Sequence, residues 1–525
     1  MQQVSTPFTN ATQARVRKLK ATASIAFLKT KSTSTKYFTV GVSSVGGTDP
    51  IAPPANTNAI TEWDKYPYVD YSRRILSMEA THEQDLLGSL IMGMADLELV
   101  NTDDKFTPGV DGTIGAYVQS PRRPLRLNAG FNLETVPLFV GVTEKAPALS
   151  ESRKTAKFHA IDFIKTLSEV VITSAVMYQD KRIDEVISSL LTTFGGLGVN
   201  QFVLEPGMRK VPFIYFKKDT KLGEAIRLLC QSELATFFED EAGVLRLWNR
   251  QHSANASSVW TFNRNNCREI TYPDARNVIN SVEVFGKVRA VQANQKLWEL
   301  SSATKIAPNS SLDIFIDFKD DYGDLPVVST DTPAYVSSAT TSYYATNALQ
   351  DGTGDTMQSN ISLTAISKFA TGAKLTFTNT HLTAEGYITA MEVWAKPAKV
   401  ITEIYTLVQN TSSIQQYDEQ YEKIENDYIQ DEIFAKSMAS MLINDRVQPS
   451  GVREIEVTRG VPQLQCGDLV TFNDGNTTGT YYVMKKTTSV SKGGLVQNLT
   501  LVQRQIKKYF TVGFSSIGGT DIIAP

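Results

Sequence analysis

The sequence predicts a mainly β, multidomain protein with α+β insertions: two small antiparallel β-barrels, a helix-hairpin domain and a β-sandwich-like section. The first observation behind this prediction is the length of 525 residues, which at roughly 150 residues per domain favours about three or four domains. The second is the many short runs in which apolar and polar residues alternate between turn residues. The third is that helical spacing of apolar residues is confined to a few segments.

Composition argues against several functional classes. With 52 basic and 55 acidic residues the formal net charge is −3, which disfavours a general binder of nucleic acid or of acidic membranes. Cys230, Cys267 and Cys466 lie far apart with no CxxC pair, so buried free thiols are favoured over disulfides or a cysteine zinc site. No apolar run approaches the roughly 18 residues of a membrane span, and residues 21–28 make a poor signal peptide. We therefore expect synthesis in a cytoplasm.

Residues 1–65 are predicted to form a basic N-terminal arm that contains the first copy of a repeat. The first acidic residue is Asp49, and the basic residues that define the arm precede it: Arg15, Arg17, Lys18, Lys20, Lys29 and Lys31. Such an arm can be a solvated tail, lie on an acidic protein surface or bind nucleic acid. The sequence leaves these alternatives open.

The most specific internal signal is a repeat at the two ends of the chain. The segment KYFTVGVSSVGGTDPIAP at 36–53 returns as KYFTVGFSSIGGTDIIAP at 508–525, within a predicted terminal unit 506–525. Each copy opens with a β-prone run too short to fold alone. We interpret the copies as docking peptides that add an edge strand to a partner, through Tyr37, Phe38, Val40, Tyr509, Phe510 and Val512. A duplication with no shared role is the alternative.

The first half of the chain interior divides into two predicted units. Residues 66–171 alternate in runs such as LELVN and PLRLNAG, which predicts the first β-barrel. Residues 172–268 form the predicted helix-hairpin domain. Apolar residues have helical spacing at 180–194, behind an Asp cap, and at 220–235, and two strands around a Glu-Ala-Gly turn follow.

The second half is predicted to be β-rich around one helix. Residues 269–300 are connecting strands, and 301–410 form the β-sandwich-like section because runs such as AKLTFTNT alternate. Residues 411–505 combine an amphipathic helix at 426–446 with the second β-barrel. The apolar face of that helix is predicted to be formed by Ile429, Ile433, Met438, Met441 and Leu442.

The sequence carries no catalytic or metal-binding motif, so we expect no enzyme activity, no metal and no cofactor. His82, His159, His252 and His381 lack the spacing of zinc ligands, and no phosphate-binding glycine loop is present. In DGTGDT, Asp351 begins a β-turn rather than a calcium loop, since the required glutamate is missing. Asp468 is predicted to end a turn between strands rather than to act as an acid or base.

The order of several motifs resembles that of tail hub proteins of long-tailed bacteriophages, also called minor tail or baseplate hub proteins. Four β segments come first: DLELVNTDDKFTPG (96–109), SPRRPLRLNAGF (120–131), PLFVGVTEKAP (137–147) and KFHAIDFIKTL (157–167). A helix and hairpin follow at 224–250, and the close contains the P-x-L-x-x-GD motif of residues 462–468. The resemblance covers roughly residues 66–504. The basic arm and the end repeats depart from the family's pattern.

The resemblance implies a non-enzymatic homotrimer at the distal end of a phage tail, made in the host cytoplasm and built into the virion. Its implied partners are a distal tail protein or tail tube ring, the tape-measure protein, and tail tip or fibre proteins. DNA would pass transiently through its channel, and no membrane span is implied.

Two other functions stay open from the residues alone. A receptor-binding or glycan-binding tail protein would need exposed aromatic residues, for which the candidates are Tyr343, Tyr344, Tyr387 and Trp394. Alternation within their strands favours a core position for them. A tail-associated cell-wall hydrolase would use paired carboxylates that lie far apart in the sequence.

Overall fold

A computed structural model describes residues 1–14, 17–27, 66–83, 92–112, 114–252, 257–271, 278–321, 323–335, 340–447, 451–457, 459–473, 475 and 478–503. The mainly β, multidomain fold that the sequence predicts is confirmed, since strands far outnumber helices in these ranges. No helix within them is long and apolar enough to cross a membrane.

The first β unit begins with a short helix, α1 (Thr6–Gln13), which the Ser5 side chain caps by accepting the N–H of Phe8. A 3-10 turn lies at Ser72–Arg74. Its strands are β1 (Leu19–Ile25), β2 (Val69–Asp70), β3 (Ile75–Glu83), β4 (Met94–Val100), β5 (Pro124–Phe131), β6 (Val136–Thr143), β7 (Ala148–Ser150) and β8 (Thr155–Ile161).

Strand β1 belongs to the sheet and not to a separate arm, which differs from the domain division predicted for residues 1–65. It pairs with β5 without a break, from Leu19 opposite Phe131 to Ile25 opposite Leu125. The physical reason is alternation: the apolar positions from Leu19 to Ile25 face the core, while Lys20, Thr22 and Ser24 alternate with them. The charge of the neighbouring basic residues obscures this pattern in the sequence.

The α/β unit contains the predicted helices and hairpin. Its elements are α2 (Phe163–Ser168), β9 (Val176–Arg182), α3 (Ile183–Thr193), a 3-10 turn (Val199–Gln201), β10 (Phe202–Leu204), β11 (Lys210–Phe216), α4 (Leu222–Glu233), β12 (Thr236–Glu239) and β13 (Leu245–Trp248). Cys230 lies in its core, as predicted, among the apolar faces of α3 and α4. Gly196, in the left-handed region at φ 66°, lies in the turn that follows α3.

The predicted Asp cap of α3 is wrong. Asp180 lies within β9, and Arg182 is the N-cap residue. Glu185 in the first turn accepts the backbone N–H of Arg182 at 2.9 Å, so the carboxylate that serves this helix end comes from inside the helix. Two further strands, β14 (Trp260–Asn263) and β15 (Cys267–Thr271), then leave the α/β unit.

The central unit is built around one very long strand. Its strands are β16 (Ser281–Val291), β17 (Gln295–Glu299), β18 (Thr304–Ile306), β19 (Ser310–Asp317), β20 (Lys319–Asp320), β21 (Gly323–Asp324), β22 (Val327–Thr330), β23 (Ala334–Tyr335), β24 (Tyr343–Asn347), β25 (Ile361–Phe369), β26 (Gly372–Asn379) and β27 (Gly386–Gln409). The first half of β27 faces the three-stranded sheet β19-β26-β25 across a shared apolar core, which is the predicted sandwich-like section. Its second half pairs with β16 and contributes to another core.

The second half of β27 belongs to a sheet covered by a helix. The elements that follow are α5 (Thr411–Tyr417), β28 (Tyr421–Glu425) and α6 (Glu432–Arg446). The predicted helix at 426–446 begins later, because Asp431 caps it by accepting the N–H of Phe434 at 2.7 Å. Met438, Met441 and Leu442 are buried as predicted, whereas Ile433 is 83% exposed, so its placement on the apolar face is wrong.

The last β unit consists of β29 (Val452–Val457), β30 (Leu469–Asn473), β31 (Thr478–Ser491) and β32 (Gly494–Val502). Strand β14 pairs in parallel with β30, and β15 pairs antiparallel with β29, so both complete this unit rather than the helix-hairpin domain. The first and last units form one 14-stranded sheet. Among the described strands this sheet follows an open path from β15 to β2, and closure into two barrels stays a prediction.

Candidate functional site

The first and last β units meet along a continuous antiparallel pairing of β3 with β31, here called the junction ladder. It runs from Ser77 opposite Ser491 to Glu83 opposite Lys485. The hydroxyls of Thr81 and Thr487, which are 406 positions apart in the chain, lie 3.0 Å from each other. The last unit also contributes two apolar side chains to the core of the first, Val490 and Leu495. The two β units are therefore one packed body.

A buried ion pair lies on the inner side of the junction ladder. Lys486 on β31 and Glu241 in the turn between β12 and β13 are only 1% and 4% exposed, with Nζ and Oε1 2.5 Å apart. The Lys486 ammonium also donates to the carbonyl oxygen of Leu464 at 2.6 Å, and Gln465 Nε2 donates to Glu241 Oε2 at 2.7 Å. One charge pair thus connects the α/β unit to the two joined β units.

The electrostatics keep this pair ionised. Burial opposes the charge on Glu241, but the Lys486 ammonium and the surrounding hydrogen bonds outweigh it and lower the pKa of Glu241 to about 2. Burial also lowers the pKa of nearby His82, whose Nε2–H donates to the carbonyl oxygen of Leu138 at 2.8 Å. The side chains around the pair are thus held in fixed hydrogen-bonding roles.

A cavity of about 220 Å³ adjoins the ion pair. The first unit lines it with His82 and Glu83, the α/β unit with Asp240 and Arg246, and the last unit with Gln465 and Cys466. Asp240 is itself paired with Arg246 at 2.6 Å. At the rim, the ring of Trp248 stacks on His252 at 3.9 Å with an interplanar angle of 9°.

Charged side chains that line the cavity are held in ion pairs. The Cys466 thiol donates to the carbonyl oxygen of His82 at 3.3 Å, and burial raises its pKa, so it is a poor nucleophile. Asp240 forms an ion pair with Arg246, and Glu241 forms one with Lys486. Within the described ranges, no group of three or more His, Cys, Asp or Glu side chains is placed to hold a metal ion.

Both predicted Asp turns are present. Gly467 adopts φ 83°, and Asp468 Oδ2 accepts the N–H of Gln465 at 2.7 Å just before β30. The other Asp468 oxygen accepts a hydrogen bond from the amine of Met1, and burial raises the pKa of Asp468. Asp351 Oδ1 accepts the N–H and hydroxyl of Thr353 at 3.0 and 2.6 Å.

Two of the described basic-arm residues, Arg17 and Lys20, are hydrogen-bonded to distant parts of the fold. Arg17 Nη1 donates to the carbonyl oxygens of Thr12 and Gly460, both at 3.3 Å, and its guanidinium lies 4.5 Å from the ring centre of Phe131. Lys20 Nζ donates to the carbonyl oxygen of Leu133 at 3.0 Å. Lys18 is exposed, and Arg15, Lys29 and Lys31 lie outside the described residues.

The six residues proposed for partner docking, Tyr37, Phe38, Val40, Tyr509, Phe510 and Val512, also lie outside the described residues, as do both copies of the repeat. Their docking role stays a prediction.

The candidate glycan-binding aromatics divide between core and surface. Tyr344 is buried in the sandwich core, as the alternation favours. Tyr343, Tyr387 and Trp394 are half-buried on the other face of their strands, so a core position is wrong for these three. Trp394 Nε1 donates to Glu392 at 3.1 Å, and the Tyr387 hydroxyl donates to Glu385 at 3.0 Å.

The ion pair was not among the predicted site residues, although one sequence signal points to it. Alternation along TYYVMKKTTSV places Lys486 on the same face as Met484, Thr488 and Val490, which are all buried. A lysine on an inward face requires a partner carboxylate. The sequence does not reveal that Glu241 supplies it, because the two residues are 245 positions apart.

Removing one partner of the Glu241–Lys486 pair should strongly destabilise the folded chain. Glu241→Gln and Lys486→Met should each lower the free energy of unfolding by about 3–5 kcal/mol, because each leaves a buried group without its partner. The double variant Glu241→Gln/Lys486→Met should lose much less than the sum of the two single losses. Urea denaturation measures these values, with Glu385→Gln in the exposed Lys305–Glu385 pair as a control that should barely move the midpoint. Additive losses in the double variant would contradict this account.

Asp162 should make stability depend on pH. It caps α2, accepts the N–H of Gly93, and burial raises its pKa from 3.8 to about 7. Its contribution is complete below pH 4 and is lost as pH rises towards 7, since only the unfolded chain ionises there. Relative to Asp162→Asn, the wild-type free energy of unfolding should fall by up to about 1.4 kcal/mol per pH unit between pH 4 and 7.

Urea denaturation at several pH values measures this slope. Asp103→Asn is the matched control, because pairing with Arg74 lowers the pKa of Asp103 to about 2, outside the range tested. Equal slopes for the wild type and Asp162→Asn would contradict the assignment.

Comparison with known proteins finds no matching family model and no matching curated protein. Among solved structures, the chain is similar to the 43 kDa tail protein of prophage MuSo2 from Shewanella oneidensis, with TM-score 0.44, 10% identity, and coverage of 83% of this chain and 95% of that one. A tail protein from Neisseria meningitidis MC58 gives TM-score 0.44, 9% identity, and coverage of 83% and 94%. A prophage tail protein from Listeria monocytogenes EGD-e gives TM-score 0.37, 9% identity, and coverage of 84% and 93%. All three of these structures are described as tail proteins.

Proposed function

We propose that this chain is the structural hub protein of a phage tail. It forms a homotrimeric ring at the distal tail end, joins the tail tube or distal tail ring to the host-facing tip, and lines the DNA channel. The observation that carries the proposal is the junction ladder, which holds two β units of one chain side by side in a single sheet. Three such chains present six β units to a sixfold neighbour.

The ordered motifs of the sequence support the same function. They extend from residue 96 to residue 468 and include elements of the first β unit, the α/β unit and the last β unit. The partners that follow are a distal tail protein or tube ring, the tape-measure protein, tip or fibre proteins, and DNA in transit.

The end repeats fit this symmetry. A threefold hub that contacts a sixfold ring must offer two nearly equivalent surfaces per chain. Two copies of one peptide on each of three chains provide six. We propose that 36–53 and 508–525 dock in equivalent grooves of successive ring subunits as added edge strands, with Phe38 and Phe510 filling side-chain pockets.

The pairing of charges around the cavity favours this structural function over a hydrolase. A hydrolase needs a carboxylate free to take or give a proton at the substrate. At the cavity, Asp240 and Glu241 are held by Arg246 and Lys486, and Glu239 accepts the N–H of Phe163 at 2.5 Å. A peptidoglycan-release assay on the purified chain should accordingly show no activity.

The symmetry of the assembled tail tests the proposal. Cryo-electron microscopy should show a threefold ring of this chain against a sixfold ring, with both repeat copies in the same conformation. Phe38→Ala and Phe510→Ala should reduce incorporation into tails to a similar extent, because each removes one of two equivalent anchors. A hub of another symmetry would contradict the function, and unlike surroundings for the two copies would contradict the docking role.

A further inference from the structure

Strand β27 changes its surroundings at Ala398. Before this residue it is paired on both sides: Glu392 pairs with Glu299 and with Tyr343. On the side of β22 and β24, the last backbone contact is the N–H of Ala398 to the carbonyl oxygen of Pro326 at 2.8 Å. From 399 to 409, the described part of the chain gives β27 only one neighbour, β16. Among the described residues, this stretch is therefore a free sheet edge.

The free edge has two of the usual protections, the charges of Lys399 and Glu403 and a β-bulge at Ile401, but it is long and largely apolar. It reads KVITEIYTLVQ, roughly 36 Å of β-prone chain with no proline and with Lys399 and Glu403 as its only charges. Three apolar side chains along this edge are well exposed: Ile401 at 57%, Tyr405 at 57% and Leu407 at 44%. Long apolar edges of this kind pair with other chains unless they are covered.

The same sheet has a second free edge. Strand β28 is parallel to β16 and, among the described strands, pairs with no other. Because β16 is antiparallel to β27, β28 also runs antiparallel to β27. Its outer face exposes Tyr421 and Lys423, and Tyr421 is 52% exposed. Within the described ranges, the sheet β28-β16-β27 thus ends on both sides in strands of opposite direction that lack an outer partner.

We propose that a second copy of this chain covers the free edge: β27 of one subunit pairs antiparallel with β28 of the next. In one register Glu403 stands opposite Lys423, which within one copy pairs with Glu425 at 3.1 Å, and Tyr405 stands opposite Tyr421. Glu403 then shares the Lys423 ammonium with Glu425, and an aromatic pair forms beside it. All four side chains are on the outer faces of their strands, which is what a continuous sheet requires.

This contact joins two different edges, so it is heterologous and can close into a ring. Antiparallel pairing of β27 with β27 would instead form a closed dimer and leave β28 uncovered. The pairing of the two edges is argued from the sheet itself. The closure of the ring after three subunits rests on the proposed hub function.

Engineered disulfides test the contact directly. Within one copy, Glu403 on β27 lies opposite Lys287 on β16, and Lys423 on β28 lies opposite Glu283 on β16. Positions 403 and 423 of the same copy are therefore two strand spacings apart across the sheet and four residues apart along it. That separation exceeds the reach of a disulfide. In the full chain with Cys267→Ser, Glu403→Cys/Lys423→Cys should form covalent trimers on oxidation, whereas each single variant should stay monomeric on a non-reducing gel.

The outcomes separate this contact from the hub function. Covalent chains longer than trimers would support the edge pairing and contradict threefold closure. A trimer by mass that gives no cross-link would keep the hub and overturn this interface. Cross-linked dimers of Glu403→Cys alone would show β27–β27 pairing and also overturn it.

Charge exchange provides an independent test in the reduced protein. Glu403→Lys and Lys423→Glu should each weaken self-association by about tenfold, measured by sedimentation, and the double variant should restore it. Lys436→Glu, an exposed change on α6 on the other side of the same sheet, is the matched control and should have no effect. Failure of the double variant to restore association would overturn the proposed register.

Discussion

The buried ion pair between Glu241 and Lys486 is the interaction on which the arrangement of the units depends. A charge without its partner would be expensive in this interior, so the pair requires the hairpin turn of the α/β unit and strand β31 to be in place together. The carbonyl of Leu464 and the amide of Gln465 complete its hydrogen bonds from the last β unit. An apolar contact of similar area would tolerate small shifts of the α/β unit against the joined β units, whereas the hydrogen-bonded ion pair fixes their relative position.

The junction ladder extends this local constraint to the arrangement of all the units. Strands β3 and β31 lie far apart in the sequence, and the α/β and central units are inserted between them. The shared sheet is therefore completed by strands from both halves of the described chain. Such pairing is entropically costly to form, and its stability comes from burying residues such as Val490 in a distant core. A chain organised in this way presents two β surfaces in a fixed mutual orientation, as the proposed ring requires.

Local patterns were sufficient to predict much of the fold. Helices α3 and α4, the β12–β13 hairpin and the Asp468 turn depend on residues close in sequence, and their spacing indicates them. Partners of strands were not predictable in this way. Strands β14 and β15 look like the end of the α/β unit, yet they pair with strands that follow about 200 residues later. The basic charge of the N-terminal segment was also misleading, since Arg17 donates to a carbonyl oxygen of the last β unit and Lys20 to one of the first.

Hydrogen exchange of β3 and β31 tests most directly whether the two β units are one body. The account predicts that amides along Ser77–Glu83 and Lys485–Ser491 have similar protection, and that Glu241→Gln lowers the protection of both strands together. Protection that is lost from β31 while β3 stays fully protected would show that the two units open independently. That result would contradict a junction held by the buried ion pair.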